Sequence, residues 1–107
     1  MTNIKITSKS NVYVLVVEGH AGYNPGNDIV CSAISALVYT YVCGAKNIDG
    51  VEFITERMKP GDVRVVMTTT TDEARKALDV LHQTFLCGFL MLNENYSENV
   101  IVVGEKS

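Results

Sequence analysis

Between Ile29 and Ala45 the chain carries no charged residue, and this run constrains the fold more than any other stretch. At a rise of 1.5 Å per residue, a helix of that length spans about 26 Å. That is short of a bilayer interior of about 30 Å, and Ser32, Ser35 and Thr40 dilute its apolarity. The run is therefore expected to be a buried helix of a soluble domain, with no membrane as partner. Ile29, Ala33, Leu37 and Tyr41 follow one face, and Ile34, Val38 and Val42 follow another. A small domain buries one side of such a helix against a sheet. Cover for the second side, and for the all-round apolar stretch from Phe85 to Leu92, is expected from a partner subunit, which makes the chain a homodimer.

The segments around this helix alternate in ways that fix their type. Ile4 to Thr7 and Val12 to Glu18 read as a hairpin about the turn Ser8 to Asn11. Val51 to Thr55 and Val63 to Thr69 read as a second hairpin, with Pro60-Gly61 as turn chemistry between them. Thr70-x-x-Glu73 has the spacing of a capping box, and Ala74, Ala77, Leu78, Leu81 and Phe85 form the core stripe of the helix it opens. Gly44 and Ala45 are expected to loosen the end of the first helix, and Asn93 to Asn99 to break the second. Val100 to Val103 reads as a last strand. At 107 residues the chain can bury one core but not two. The expectation is an α+β fold in ββαββαβ order, one domain over residues 1–107, with two helices packed on a β-sheet.

Just before the uncharged run lie the residues with chemical potential. His20 follows the second strand, the loop Ala21 to Asn27 contains Gly22, Pro25 and Gly26, and Asp28 stands where an N-cap would. Cys31 is then the third helical residue, where unpaired backbone N–H groups and the helix dipole favour an anion, so that a thiolate nucleophile is favoured. The loop can fold the imidazole back toward the sulfur, as a Cys-His pair requires. Asp28 either caps the helix or orients His20. Ser35 lies one turn beyond Cys31, and its hydroxyl could reach the sulfur, the imidazole or a backbone carbonyl. N–H groups near Asp28 to Cys31 are candidate oxyanion donors. Tyr23 offers an aromatic surface on the loop. Cys43 and Cys87, inside apolar helix, are expected to pack in the core, and His82 is given no role.

The order Gly19-His20-Ala21, a loop, then Gly26-x-Asp28-Ile29-Val30-Cys31-x-Ala33-x-Ser35-Ala36-Leu37 resembles the ribosomal-processing cysteine protease family of bacteria. The loop between histidine and cysteine is one residue shorter than in most members, and Ser32 stands where they carry alanine. The resemblance implies a cytosolic homodimer that removes a short N-terminal extension from a large-subunit ribosomal protein. It makes Cys31 the nucleophile and His20 its base, carries Asp28 and Ser35 over as supporting residues, and needs no cofactor. Cleavage after an aromatic residue implies an apolar subsite, partly lined by the loop through Gly22, Tyr23 and Gly26.

Charge and cysteine usage narrow the alternatives. A net charge of −3 with no run of Lys or Arg argues against a direct grip on nucleic acid and favours a peptide partner. Met1 to Asn11 is polar, without the apolar core of a secretory signal, and three cysteines fit reduced thiols; both point to the cytoplasm. Metal is the weaker expectation, since a zinc site needs three or four ligands and the His20–Cys31 region offers one histidine, one cysteine and one carboxylate. The rivals are a non-catalytic interaction module whose helix start binds an anionic group, and a protease with another client, such as a phage structural protein.

Overall fold

The structure, a computed structural model, describes residues 1–23 and 28–106. The chain runs β1 (Thr2–Lys9), β2 (Val12–Glu18), α1 (Ile29–Lys46), β3 (Val51–Lys59), β4 (Asp62–Thr69), α2 (Asp72–Asn95) and β5 (Val100–Lys106). This is the α+β arrangement the patterning implies. The five strands form one sheet in the order β3-β4-β2-β1-β5. All neighbours are antiparallel except β1 and β5, which run parallel with Thr2 opposite Val100.

Alternation decides which side of the sheet is covered. Ile4 and Ile6 of β1, Tyr13, Leu15 and Val17 of β2, and Val63, Val65 and Met67 of β4 point to one face and are buried. Val30, Ile34, Val38, Tyr41 and Val42 of α1 and Leu78, Phe85 and Phe89 of α2 join the same core cluster. α1 has the length and hydropathy of a membrane span, but these side chains make it a core helix of this domain.

The helices pack closely where each carries a glycine. A Cβ on Gly44 would lie 3.2 Å from Leu81, and one on Gly88 would lie 3.3 Å from Leu37. Gly44 therefore does not loosen α1. The helix continues to Lys46 and is capped by Asn47, and the missing side chain lets α2 approach. The face of α1 that carries Ile29, Ala33 and Leu37 is thus partly covered by α2 through Leu37, while Ile29 on that face, and Tyr39, remain exposed.

Several local expectations change. Thr71, not Thr70, caps α2: its side chain accepts from the Ala74 N–H at 3.0 Å, whereas Thr70 donates to the Gly50 carbonyl. Glu73 is consequently the second helical residue, outside capping-box register. Ala77 is exposed, and its place in the core is taken by His82, which is 1% exposed. His82 Nδ1 and Tyr41 Oη share a 2.6 Å hydrogen bond, and both tyrosines Tyr13 and Tyr41 meet the imidazole edge-on. Burial, then the neighbouring Tyr13 and Asp79, push the Tyr41 phenol above its usual 10.0. Cys43 and Cys87 are exposed rather than packed, because they lie on the outer sides of α1 and α2. β3 extends past Thr55 through Glu56, Arg57 and Lys59, as an edge strand whose charged side chains face solvent and whose Arg57 pairs with Asp62 at 2.6 Å.

Candidate active site

The start of α1 is built by one carboxylate. Asp28 Oδ1 accepts from the N–H groups of Val30 at 2.9 Å and Cys31 at 3.0 Å, and Oδ2 accepts from Tyr23 N–H at 2.9 Å. Asp28 is therefore the N-cap, and it also ties the segment after His20 to the helix start. A further consequence follows for the oxyanion donors expected there. The Val30 and Cys31 N–H groups are occupied by the cap, and the Ser32 N–H bonds the Asp28 carbonyl at 3.1 Å.

The donor that does reach the sulfur comes from the other side. Ala21 N–H points at Cys31 Sγ, 3.3 Å away, from the residue directly after His20. Ala21 itself is buried, while Cys31 is partly exposed and His20 exposed. Two contacts hold the backbone of this segment: the Met1 amino group donates to the His20 carbonyl at 2.7 Å, and Asn99 Nδ2 donates to the Ala21 carbonyl at 3.0 Å.

Two glycines allow the approach. Gly19 has φ +91°, its N–H bonds the Gly61 carbonyl at 2.9 Å, and a Cβ there would stand 2.5 Å from the Met1 carbonyl oxygen. Gly61, at φ +69° in the β3–β4 turn, would put a Cβ 2.7 Å from His20 Nε2, so the imidazole rests against bare backbone. Among the described residues no hydrogen bond joins His20 to Cys31. Both nevertheless line one pocket of about 180 Å³. Catalytic hydrogen bonds are often long before substrate binds, so the absence of this one does not rule out the pair.

That pocket has an apolar floor of Val17, Ile34, Val38 and Val63 and a rim that includes Tyr39 and Lys59. Ser35 also lines it, exposed, and its hydroxyl has no hydrogen-bond partner among the described residues. Gly22 and Tyr23 are exposed, and the Tyr23 ring stands edge-on to Tyr96 at 5.4 Å. Gly26 lies outside the described residues. Among the described residues no three of His, Cys, Asp and Glu converge as metal ligands.

The fold thus brings together His20, Cys31 and Ser35 at one pocket and puts Asp28 under the helix start. Sequence reasoning missed Asn99 and the Ala21 N–H. Neither has a local signature, since Asn99 is 78 residues from its partner and a backbone donor is invisible in a sequence. Gly61 was recognised only as a turn residue, not as the seat of the imidazole.

Known proteins bear on this geometry. The ribosomal processing protease Prp from Staphylococcus aureus, in complex with a covalently linked product peptide, superposes with a TM-score of 0.78 at 22% identity, over 98% of this chain and 100% of that one. The same protease with a substrate peptide gives 0.73 at 19% identity, with the same coverage. SMU.848 from Streptococcus mutans gives 0.75 at 23% identity, over 100% of this chain and 96% of that one. At these identities the likeness shows a shared fold. No curated protein sequence matches the chain. The family described as cysteine protease Prp matches residues 1–101, nearly the whole described chain, and the protein belongs to that family of cysteine proteases.

Proposed function

We propose that this protein is an endopeptidase that removes a short N-terminal extension from a large-subunit ribosomal protein, with Cys31 as nucleophile and His20 as general base. The observation that carries the assignment is the 3.3 Å contact from Ala21 N–H to Cys31 Sγ, which sets the residue after His20 directly against the thiol. His20 takes the thiol proton as Sγ bonds the scissile carbonyl carbon, and the carbonyl π electrons move to oxygen. Collapse of that oxyanion expels the amine, which takes the proton from His20, and water then hydrolyses the thioester. These steps use side chains, backbone and water, and no cofactor enters.

The peptide-bound structures of the Staphylococcus aureus protease support a peptide as the substrate class. The apolar floor beside Cys31 suits an aromatic side chain next to the cut. Ser35, one turn along α1, supports the bound peptide or the imidazole from the pocket wall. The protein acts in the cytoplasm as a homodimer, and the exposed Val80, Leu90 and Met91 on α2 supply apolar surface for a partner subunit. A net charge of −3 supports a peptide rather than nucleic acid as what it holds. Incubation of the purified protein with synthetic N-terminal extensions of ribosomal proteins, followed by sequencing of the products, tests the assignment. The expected result is one cut after an aromatic residue, abolished in Cys31→Ala. Absence of cleavage across all extensions would count against it.

A further inference from the structure

We infer that Asn99, on the connection between α2 and β5, is a positioning residue that aims the Ala21 N–H at the reacting centre. The inference rests on the protease assignment and adds the backbone donor which that chemistry lacks. A nucleophile at a helix start would ordinarily be able to offer its own N–H to the developing oxyanion. Here the Asp28 cap occupies that group and its neighbour, and among the described residues Ala21 N–H is the backbone donor directed at the sulfur.

Ala21 is held in both of the peptide units that flank it, the first of which is also braced by the Met1 amino group on the His20 carbonyl. Its N–H meets Cys31 Sγ at 3.3 Å, and its carbonyl accepts from Asn99 Nδ2 at 3.0 Å. Asn99 is itself fixed by its main chain: its N–H donates to the Tyr96 carbonyl at 2.8 Å, and its carbonyl accepts from Thr2 N–H at 2.9 Å. Tyr96, from the same connection, stands edge-on to Tyr23 at 5.4 Å, so the segment is gripped again two residues beyond Ala21. One short turn of chain therefore clamps Ala21 and Tyr23 from a point remote in sequence.

The geometry gives the donor two successive tasks. Before attack, Ala21 N–H stabilises negative charge on Sγ. When Sγ bonds the carbonyl carbon, the charge moves to the carbonyl oxygen, one bond beyond the atom Sγ has joined. A donor in contact with Sγ is within reach of that oxygen, provided the backbone on either side of the Ala21 Cα remains fixed. Asn99 supplies that fixation without touching substrate.

The test compares Asn99→Ala and Asn99→Asp with the intact protein on a cleavable extension peptide. Asn99→Asp preserves the shape but, ionised, has no donor for the Ala21 carbonyl, so it separates the hydrogen bond from packing. Far-UV circular dichroism and melting temperature identify any variant that fails to fold. The expected result is a fall in kcat of about 10- to 100-fold with KM within two-fold, below the about 10²–10³ that outright removal of an oxyanion donor costs. An unchanged kcat, or a loss confined to KM, in folded Asn99→Asp would overturn the inference.

If the intact protein cleaves no peptide, the protease assignment fails, but iodoacetamide labelling still decides the positioning role. Cys31 should then label at least about five-fold more slowly in Asn99→Asp at neutral pH, because the thiolate has lost an aimed donor. The exposed Cys43 and Cys87 serve as internal references and should label unchanged. Equal Cys31 rates in the two proteins would overturn it.

Discussion

The two helices begin in the same way and end up with different chemistry. Both have a side-chain N-cap in extended conformation, Asp28 for α1 and Thr71 for α2. The first turn of α2 then carries Asp72 and Glu73, whereas the first turn of α1 carries no acid. At α2 the dipole is neutralised by the helix's own carboxylates, and the result is stability. At α1 the one carboxylate is the cap itself, Asp28, on the Val30 and Cys31 N–H groups, and the turn Ile29-Val30-Cys31 puts a sulfur where α2 has its acids. The two helix starts thus differ by what the first turn of α1 omits as much as by the cysteine it includes.

The largest effect expected from breaking this contrast is at α1 itself. Cys31→Ala should eliminate peptide cleavage, and His20→Ala should reduce it to near the same level, because nucleophile and base act as a unit. Chromatographic peptide assays read this out, and unchanged melting temperatures would separate it from misfolding. Residual turnover in Cys31→Ala at the wild-type rate would end the comparison, since α1 would then be no more reactive than α2.

Removing the caps one at a time should give an intermediate effect that separates stability from function. Asp28→Ala and Thr71→Ala should each cost roughly 0.5–2 kcal/mol in urea unfolding, the ordinary value of an N-cap. Only Asp28→Ala should also lower kcat/KM, by about ten-fold or more. It frees three N–H groups, including the Tyr23 donor that draws the His20 segment onto α1. Comparable kcat/KM in the two variants would mean that Asp28 is a cap and nothing else.

The smallest effect should come from making α1 resemble α2. Ile29 is 56% exposed, so Ile29→Glu places a carboxylate in the first turn without disturbing the core. A surface charge near a helix end is worth about 0.3–1 kcal/mol, which corresponds to roughly a two- to five-fold loss in kcat/KM. That loss should shrink as salt is raised, while the fold becomes no less stable. A rate independent of both charge and salt would remove the dipole from the explanation.

What could be read from sequence was what is encoded locally. Asp28 as cap, Cys31 three residues into the helix, and Pro60-Gly61 as a turn each depend on a few adjacent residues, and each stands where expected. Thr70 and Thr71 show the limit of that logic. Both threonines precede the same helix, and only the tertiary contact of Thr70 with the Gly50 carbonyl decides that Thr71 does the capping. The cysteines show another limit. In a helix as apolar as α1, composition does not say which side meets the sheet, so Cys43 could be put in the core when it faces out. Contacts between distant segments were not legible at all. The parallel pairing of β1 with β5, the seat of His20 on Gly61 and the bond from Asn99 to Ala21 each join segments with no shared pattern.

The parallel pairing of β1 with β5 also orders the steps of folding. Thr2 lies opposite Val100, so this ladder closes a loop of almost the whole chain, the slowest kind of contact for a folding polypeptide to make. The hairpins β1–β2 and β3–β4 close short loops and should form early. Asn99 immediately precedes β5 and arrives with it. A nascent chain could thus display secondary structure, a helix start and a free thiol while still lacking the brace on Ala21. The brace on Ala21 is thus expected to form with the longest-range pairing of the sheet, after the hairpins and the helix starts are in place.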